Sequence, residues 1–271
     1  MIFIRHRGLI SLFMFFVLCL SSPAFAGDKA PENLLILSER LENPVDGLLN
    51  VSFEDSAYFR YGPSRNDIMN ILNIKPVLPV PLGSGLNIVI RPEIPLAYVP
   101  WPEKQAGLGD IKIKAYLADA SQKGFSWGIG TVIGIPTATD TLLGTGRWTA
   151  GPAATLVYTD GAIVAGIAAD GLFSFAGPES RGDISELGIR PFIYLNNAQG
   201  WYIFIDPEFT CNFELPDSQQ WTVPLGGGIG KTFKAGKQMM SAYVSGYAKF
   251  KHPTDASDLY MKAGLSLLFE S

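Results

Sequence analysis

Apolar and polar side chains alternate along most of this chain. In the segment "GWYIFIDPEFTCNF", Ile203 and Ile205 have one parity, and Asp206 and Glu208 have the other. A β-strand sorts residues in this way because successive side chains point to opposite faces of the sheet. The pattern predicts twelve strands, near residues 51–61, 68–80, 86–99, 109–119, 125–137, 147–158, 162–174, 185–196, 201–213, 222–234, 237–250 and 259–269.

The connections between these strands alternate in length. Short turns, most of them with the glycine that hairpins require, fall at residues 82–85, 120–124, 159–161, 197–200 and 235–236. The others are longer and polar: "GPSRND", "PWPEKQAGL", "ATDTLLGTG", "AGPESRGD", "LPDSQQ" and "HPTDASD". Short turns at one rim and long loops at the other are typical of an all-β, up-and-down antiparallel transmembrane β-barrel. The even number of strands places both ends of the barrel at the short-turn, periplasmic rim.

Charged side chains occupy the polar parity of these strands. A lysine or arginine facing lipid at mid-depth costs roughly 2–4 kcal/mol, so the polar parity is predicted to face the lumen. The candidate lumen-lining residues are Lys75, Arg91, Glu93, Asp110, Lys112, Lys114, Asp170, Glu186, Arg190, Asp206, Glu208 and Lys262. Both signs of charge occur, so ion pairs between neighbouring strands are expected. Two interpretations stay open: a lumen that passes a small solute, and a salt-bridged interior that only satisfies its own charges.

The size of the barrel limits the pore. Twelve strands lie between the small barrels that side chains fill and the open porins, so we expect a narrow or partly plugged lumen.

Independent support for a membrane location comes from tryptophan, which is enriched where a barrel meets the two membrane interfaces. The five tryptophans fall at or just beyond predicted strand ends: Trp101, Trp127, Trp148, Trp201 and Trp221.

Residues 1–26 have the pattern of a secretory signal peptide. Arg5 and Arg7 precede an apolar stretch at residues 9–20, and Ala24 and Ala26 form a small-x-small cleavage pattern. We therefore predict a signal peptide at residues 1–26 and export to the bacterial outer membrane after cleavage near Ala26. The following segment, residues 27–50, does not alternate, and the barrel is predicted to occupy residues 51–271.

Residues 27–50 carry helix signals. Pro31 suits a first helical position, Glu32 lies near the positive end of the helix dipole, and Pro44 is a stop signal. A short amphipathic helix that plugs the periplasmic mouth is one interpretation. A periplasmic tether or lead-in is the other.

Charge and cysteine content exclude some classes. Without residues 1–26 the net charge is about −6, which argues against nucleic acid as a partner. Cys211 is then the only cysteine, so no disulfide framework is expected despite export. No apolar run is long enough for a transmembrane helix.

The sequence offers little for catalysis or cofactors. "GGGIGK" at residues 226–231 lacks the spacing and the strand-to-helix context of a phosphate-binding loop, and its inward glycines more simply make room in the lumen. An outer-membrane acyl hydrolase would need a histidine within reach of a serine, and His252 lies in one loop with Ser257. A single loop histidine is usually solvated, and no His, Cys or carboxylate cluster has metal-ligand spacing. We predict no enzyme activity, no cofactor and no metal.

Several stretches resemble the MetA-pathway-of-phenol-degradation family of outer-membrane proteins. They are Asn43-Pro44-Val45, "GLGDIKIKAYL" at 107–117, "GIPTATDTLLGTGRWTAGPA" at 134–153, "RPFIYL" at 190–195, "GWY" at 200–202 and "WTVPLGGGIGK" at 221–231. The resemblance covers nearly the whole chain after residue 26. It implies a β-barrel linked with passage of aromatic or hydrophobic compounds, and it supplies no catalytic residues.

The combined prediction is an outer-membrane channel for passive passage of small, hydrophobic or aromatic solutes. A structural or plugged barrel without transport is the alternative, and an acyl hydrolase is a more distant one. The expected partners are outer-membrane lipid, the solute and the barrel assembly machinery. Such barrels usually end on an aromatic residue that the machinery recognises, whereas here Phe269 lies two residues before the end.

Overall fold

The computed structural model describes residues 34–83, 85–119, 121 and 123–269, which form one short helix and fourteen strand segments. The helix is Leu34–Glu42 (α1). The strands are Leu49–Tyr61 (β1), Asp67–Gly83 (β2), Leu86–Val99 (β3), Gln105–Leu108 (β4), Ile111–Asp119 (β5), Gly124–Ile135 (β6), Trp148–Asp160 (β7), Ile163–Ala176 (β8), Ser185–Asn196 (β9), Trp201–Ile205 (β10), Phe209–Asn212 (β11), Trp221–Ala235 (β12), Gln238–Lys251 (β13) and Leu259–Phe269 (β14). At 9 residues, α1 falls short of the length and apolarity that crossing a membrane requires.

The sheet closes on itself as a barrel of twelve antiparallel strands. Each strand pairs with its neighbours in the chain, and β1 pairs with β14 from Leu49 opposite Phe269 to Phe59 opposite Leu259. Closure leaves no sheet edge with unpaired backbone groups. The predicted fold class, strand number and short N-terminal helix are confirmed.

Fourteen segments make twelve strands because two strands are interrupted. β4 and β5 both pair with β3 and continue one another across Gly109 and Asp110. This strand begins at Gln105, so part of the predicted loop "PWPEKQAGL" is strand. β10 and β11 both pair with β9 and β12 and are separated by residues 206–208. Pro207 has no backbone N–H to donate to a ladder, which suits it to this interruption.

Alternate side chains have opposite environments, as the parity predicts. In β10, Ile203 is 54% exposed and faces outward, whereas Tyr202, at 4%, is buried inside the barrel. Isoleucines at outward positions of other strands, such as Ile129 and Ile167, are also exposed. The outer surface of the barrel is therefore apolar.

Residues 34–48 lie inside the barrel, and we name them the inserted segment. Leu34, Leu37 and Leu48 are buried against Met239 and Leu268, which lie at the short-turn rim. The predicted helix is present, whereas its proposed start signals at Pro31 and Glu32, and the predicted signal peptide, lie outside the described residues.

Close approach of two backbones requires glycine in β6. A Cβ atom on Gly130 would lie 1.8 Å from the carbonyl oxygen of Ala115 in β5. A Cβ atom on Gly246 in β13 would meet nothing within 4 Å.

We expect Gly130→Ala to destabilise the barrel by about 1–3 kcal/mol or more, because backbone must move to admit the methyl group. Gly246→Ala is the matched control and should fold as the wild-type protein does. Unfolding in urea, followed by the gel mobility of unheated samples, measures the difference. Equal midpoints for the two variants would contradict the packing of β5 against β6.

Candidate functional site

The barrel interior contains a cavity of about 100 Å³ at mid-depth. Eight of the twelve candidate residues line it: Lys75, Arg91, Glu93, Lys112, Lys114, Asp170, Arg190 and Glu208. They come from five strands, β2, β3, β5, β8 and β9, and from the β10–β11 interruption, and each has the inward parity of its strand. The cavity is bounded at one side by Pro44 of the inserted segment.

A second cavity of about 40 Å³ lies beside the first. Asp110, Lys112 and Glu186 line it, together with Thr145 and Arg147 of the long-loop side. Because Lys112 lines both cavities, the two cavities are neighbours in the lumen. Of the remaining candidates, Asp206 and Lys262 line neither cavity and contribute to ion pairs behind the first one.

Glu54 of β1 is the centre of the first ion-pair network. Its Oε1 atom lies 2.8 Å from Lys75 Nζ and 3.3 Å from Lys262 Nζ, and Tyr243 donates its hydroxyl hydrogen to Oε2. Lys75 also lies 3.6 Å from Glu93. Sequence analysis missed Glu54 because Asp55 follows it directly, so charged residues occupy both parities of this strand and do not show which one faces inward. Ser56, which is buried two residues further along the strand, marks its parity as inward.

A second network surrounds Asp206. Arg190 donates from Nε and Nη2 to the two carboxylate oxygens, and Tyr194 donates its hydroxyl hydrogen to Oδ2 at 2.6 Å. A two-pronged arginine–carboxylate contact is stronger and more directional than a single hydrogen bond. Asp206 is therefore fixed against the wall next to the first cavity, although the β-ladder is broken at its position.

One ion pair joins two strands that are not neighbours. Lys114 of β5 bonds to Asp170 of β8, and two whole strands, β6 and β7, separate these segments along the wall. The pair therefore projects from the wall into the lumen at the first cavity.

Three charged groups at the first cavity have no ionic partner within 4.0 Å among the described residues: Arg91, Lys112 and Glu208. Arg91 instead donates from Nη1 to the carbonyl oxygen of Pro44 at 3.1 Å. These groups face the cavity.

Aromatic side chains form the lumen wall towards the short-turn rim. The rings of Tyr194 and Phe204 stack at 5.1 Å, and Phe204 meets Tyr243 edge-on at 5.5 Å. Val45 of the inserted segment is fully buried in the same cluster. The lumen therefore changes from charged at mid-depth to apolar near the inserted segment.

Hydrogen bonds attach the inserted segment to four strands. Ser38 donates to Thr232 of β12 at 2.8 Å, and Asn43 donates to Ser126 of β6 at 3.0 Å. Asn196 of β9 donates to Glu42 at 2.7 Å, and Arg91 of β3 bonds to Pro44, as described above. Because these strands lie on different sides of the barrel, the segment occupies the width of the lumen.

The hydrolase interpretation gains no support from geometry. His252 Nε2 lies 3.2 Å from Asp258, and Ser257 accepts a hydrogen bond from Lys249 at 2.8 Å. The histidine and the serine thus have different partners. In the described part of the chain, no three His, Cys, Asp or Glu side chains are grouped to hold a metal.

Four of the five tryptophans are exposed on the outer surface: Trp101, Trp127, Trp148 and Trp201. The ammonium group of Lys231 lies 4.8 Å from the ring centre of Trp201. Trp221 begins β12 and is half-buried. Their placement at the membrane interfaces stays a prediction.

Comparison with known proteins supports the fold. The sequence matches no protein-family model, and it matches no curated protein. An outer membrane channel from Pseudomonas putida F1 has a similar structure, with a TM-score of 0.61 and 16% identity over 83% of this chain and 96% of that chain. The NanC porin has a TM-score of 0.54 and 7% identity over 82% of this chain and 100% of that chain. The resemblance to the MetA-pathway family stays a hypothesis.

Replacing Glu54 by Gln should destabilise the folded barrel by about 1–3 kcal/mol, because Lys75 and Lys262 lose their shared carboxylate. The control Glu179→Gln changes an exposed loop residue and should shift stability by no more than about 0.5 kcal/mol. Urea unfolding in detergent measures both variants. A Glu54→Gln midpoint equal to that of the control would show that the network contributes little.

Proposed function

We propose that this protein is a bacterial outer-membrane channel through which small solutes pass without an energy source. The observation that carries the proposal is the pair of neighbouring cavities, lined by charged side chains, inside a closed barrel whose outer surface is apolar. A soluble β-barrel has no need of that arrangement. Two proteins of similar fold are themselves an outer membrane channel and a porin.

The same proposal gives roles to the parts of the chain that the structure does not describe. Residues 1–26 act as a signal peptide that directs export, with cleavage near Ala26. The barrel assembly machinery inserts the exported chain into the outer membrane, where lipid covers the apolar surface and the tryptophans lie at the interfaces. The charged inner face then meets water.

The solutes we propose are small and hydrophobic or aromatic. The cavities are small, and the Lys114–Asp170 pair projects into the lumen, so large solutes are excluded in this proposal. Beyond the charged zone, the wall of Tyr194, Phe204 and Tyr243 offers ring faces and edges to an apolar solute. The resemblance to the MetA-pathway family favours the same class.

The inserted segment acts as a plug in this proposal. It closes the short-turn end of the lumen through hydrogen bonds to four strands and by burying Val45. Passage requires the segment to move. The alternative function, a structural barrel without transport, is favoured by the same tight contacts and predicts a segment that never moves.

The apolar outer surface gives a test of membrane insertion. Ile167→Lys places a charge on the exposed outer face of β8 and should destabilise the membrane-inserted barrel by roughly 2–4 kcal/mol. Gly188→Lys is the matched control, because a Cβ atom there faces inward, 3.8 Å from Glu208 Oε1. Folding into lipid vesicles, titrated with urea, measures both. Equal tolerance of the two lysines would contradict a lipid-facing outer surface.

Transport can be tested with a reversible lock. In the Ser38→Cys/Thr232→Cys variant, the two sulfur atoms replace hydroxyl groups whose oxygens lie 2.8 Å apart, so oxidation can join the plug to β12. We expect proteoliposomes with the oxidised variant to swell slowly in small solutes, and reduction should restore the wild-type rate. The solute panel runs from glycerol to a benzene-ring alcohol.

The single variant Ser38→Cys controls for the substitution and should not respond to reduction. Equal swelling before and after reduction, at the wild-type rate, would show that the plug does not close the path. Absence of swelling with folded wild-type protein and with reduced variant would overturn the channel and favour a structural barrel.

A further inference from the structure

The last residue of α1 makes an incomplete hydrogen-bonded pair with the wall. Asn196, at the end of β9, donates from Nδ2 to Glu42 Oε2 at 2.7 Å. The other two atoms of the pair, Glu42 Oε1 and Asn196 Oδ1, are buried and have no partner. Buried polar atoms in folded proteins are nearly always hydrogen-bonded, so two orphans in one pair need a common explanation.

A single proton on Glu42 can supply both missing partners. An ionised carboxylate and an amide oxygen can only accept hydrogen bonds, so Oε1 and Oδ1 cannot satisfy each other. When Oε1 carries a proton, it becomes a donor, and Oδ1 is the free acceptor on the same amide that already donates to Oε2. The result is a two-way pair between a carboxylic acid and an amide.

The surroundings of Glu42 disfavour its charge. The charges of Glu39 in α1 and of Asp206 in the β10–β11 interruption act on Glu42, and Asp206 is bound to Arg190. The cation of α1, Arg40, is paired with Asp46 at 3.0 Å. From β9 and β10, the neighbouring titratable groups are Tyr194 and Tyr202, which are uncharged. No group that faces Glu42 from these elements supplies a free positive charge.

Among the other elements that pack on α1, β12 carries two lysines. Lys231 lies over the Trp201 ring on the outer face, and Lys234 is exposed near the end of the strand. Burial raises the pKa of Glu42 well above its ordinary value; the hydrogen bond from Asn196 opposes this rise, and the charges of Glu39 and Asp206 add to it.

We propose that Glu42 and Asn196 form a proton-dependent latch that holds the inserted segment in the mouth of the barrel. The inference rests on the proposed channel function, which it deepens by assigning the trigger for plug movement. Glu42 is followed directly by the three residues that contact β6, β3 and the aromatic wall: Asn43, Pro44 and Val45. Loss of the latch therefore frees the contacts that close the lumen.

The direction of the pH effect follows from the raised pKa. The docked segment binds the proton of Glu42 more tightly than a released, hydrated segment does. Docking is thus fully stabilised below the ordinary carboxyl pKa, and this stabilisation is lost as pH rises through the docked pKa. A difference of one pKa unit changes the docking equilibrium about tenfold.

Glu42→Gln tests the latch in the full-length protein. The glutamine amide can donate to Asn196 Oδ1 and accept from Nδ2, but it cannot ionise. We expect planar-bilayer conductance of wild type to rise by about tenfold or more between about pH 5 and about pH 9, while that of Glu42→Gln stays at the low-pH level. Glu103→Gln, in an exposed loop, should follow the wild type.

Infrared absorption tests the proton without relying on transport. At about pH 5, the protonated carboxyl band should be stronger in wild type and in Glu103→Gln than in Glu42→Gln, because only the last lacks the Glu42 carboxyl group. A band in Glu42→Gln that is as strong as the wild-type band overturns the latch. Identical conductance profiles for wild type and Glu42→Gln overturn it too, while leaving the channel intact.

Absence of conductance in every protein overturns the channel function and, with it, the gating role of the latch. The infrared band and amide hydrogen exchange of residues 34–48 then still decide whether Glu42 holds the segment in place. The latch is supported if the exchange rate of these amides increases more with pH in wild type than in Glu42→Gln. Equal exchange in the two proteins overturns it.

Discussion

Closure of the sheet is the constraint on which the rest of this structure depends. Hydrocarbon offers no hydrogen bonds, so a sheet that crosses it must pair every strand on both sides. Pairing of β1 with β14 achieves this in twelve strands and fixes two populations of side chains. One population faces out and is apolar; the other faces a lumen too narrow to hydrate charges freely. Closure therefore accounts both for the ion pairs inside the barrel and for the isoleucines on its outer surface.

Charged side chains in the narrow lumen have two kinds of surroundings. Glu54 and Asp206 are each held by more than one donor against the wall, which keeps their charges compensated. Arg91, Lys112 and Glu208 face the cavity without ionic partners among the described residues. Compensated charges stabilise the wall, whereas uncommitted ones can meet a solute. In the proposed channel, these uncommitted charges are the part of the interior that a solute meets.

Sequence predicted the barrel well because the period of a strand is local information. The strands that became β9 and β14 have the predicted ends. Ten of the twelve candidate residues line one of the two cavities, and Asp206 and Lys262 take part in ion pairs. The interruptions at Gly109 and at residues 206–208 were not predicted, because a broken ladder keeps the parity on both sides. Glu54 was missed, since its role depends on lysines distant in sequence. Contacts of the inserted segment could not be predicted for the same reason: Ser38 meets a residue 194 positions away.

In the proposed channel, the inserted segment is the part that gives a rigid barrel a variable opening. Closed ladders resist widening, because every strand is paired to two others, so the wall itself offers no easy hinge. The apolar aromatic zone of the lumen is filled by Val45, a residue that belongs to the segment and not to the wall. Movement of one short segment therefore exposes a complete apolar surface without breaking a single strand pair. Such a gate requires a reversible contact between the segment and the wall. The carboxyl group of Glu42, which is buried without a counter-charge, provides this contact through Asn196.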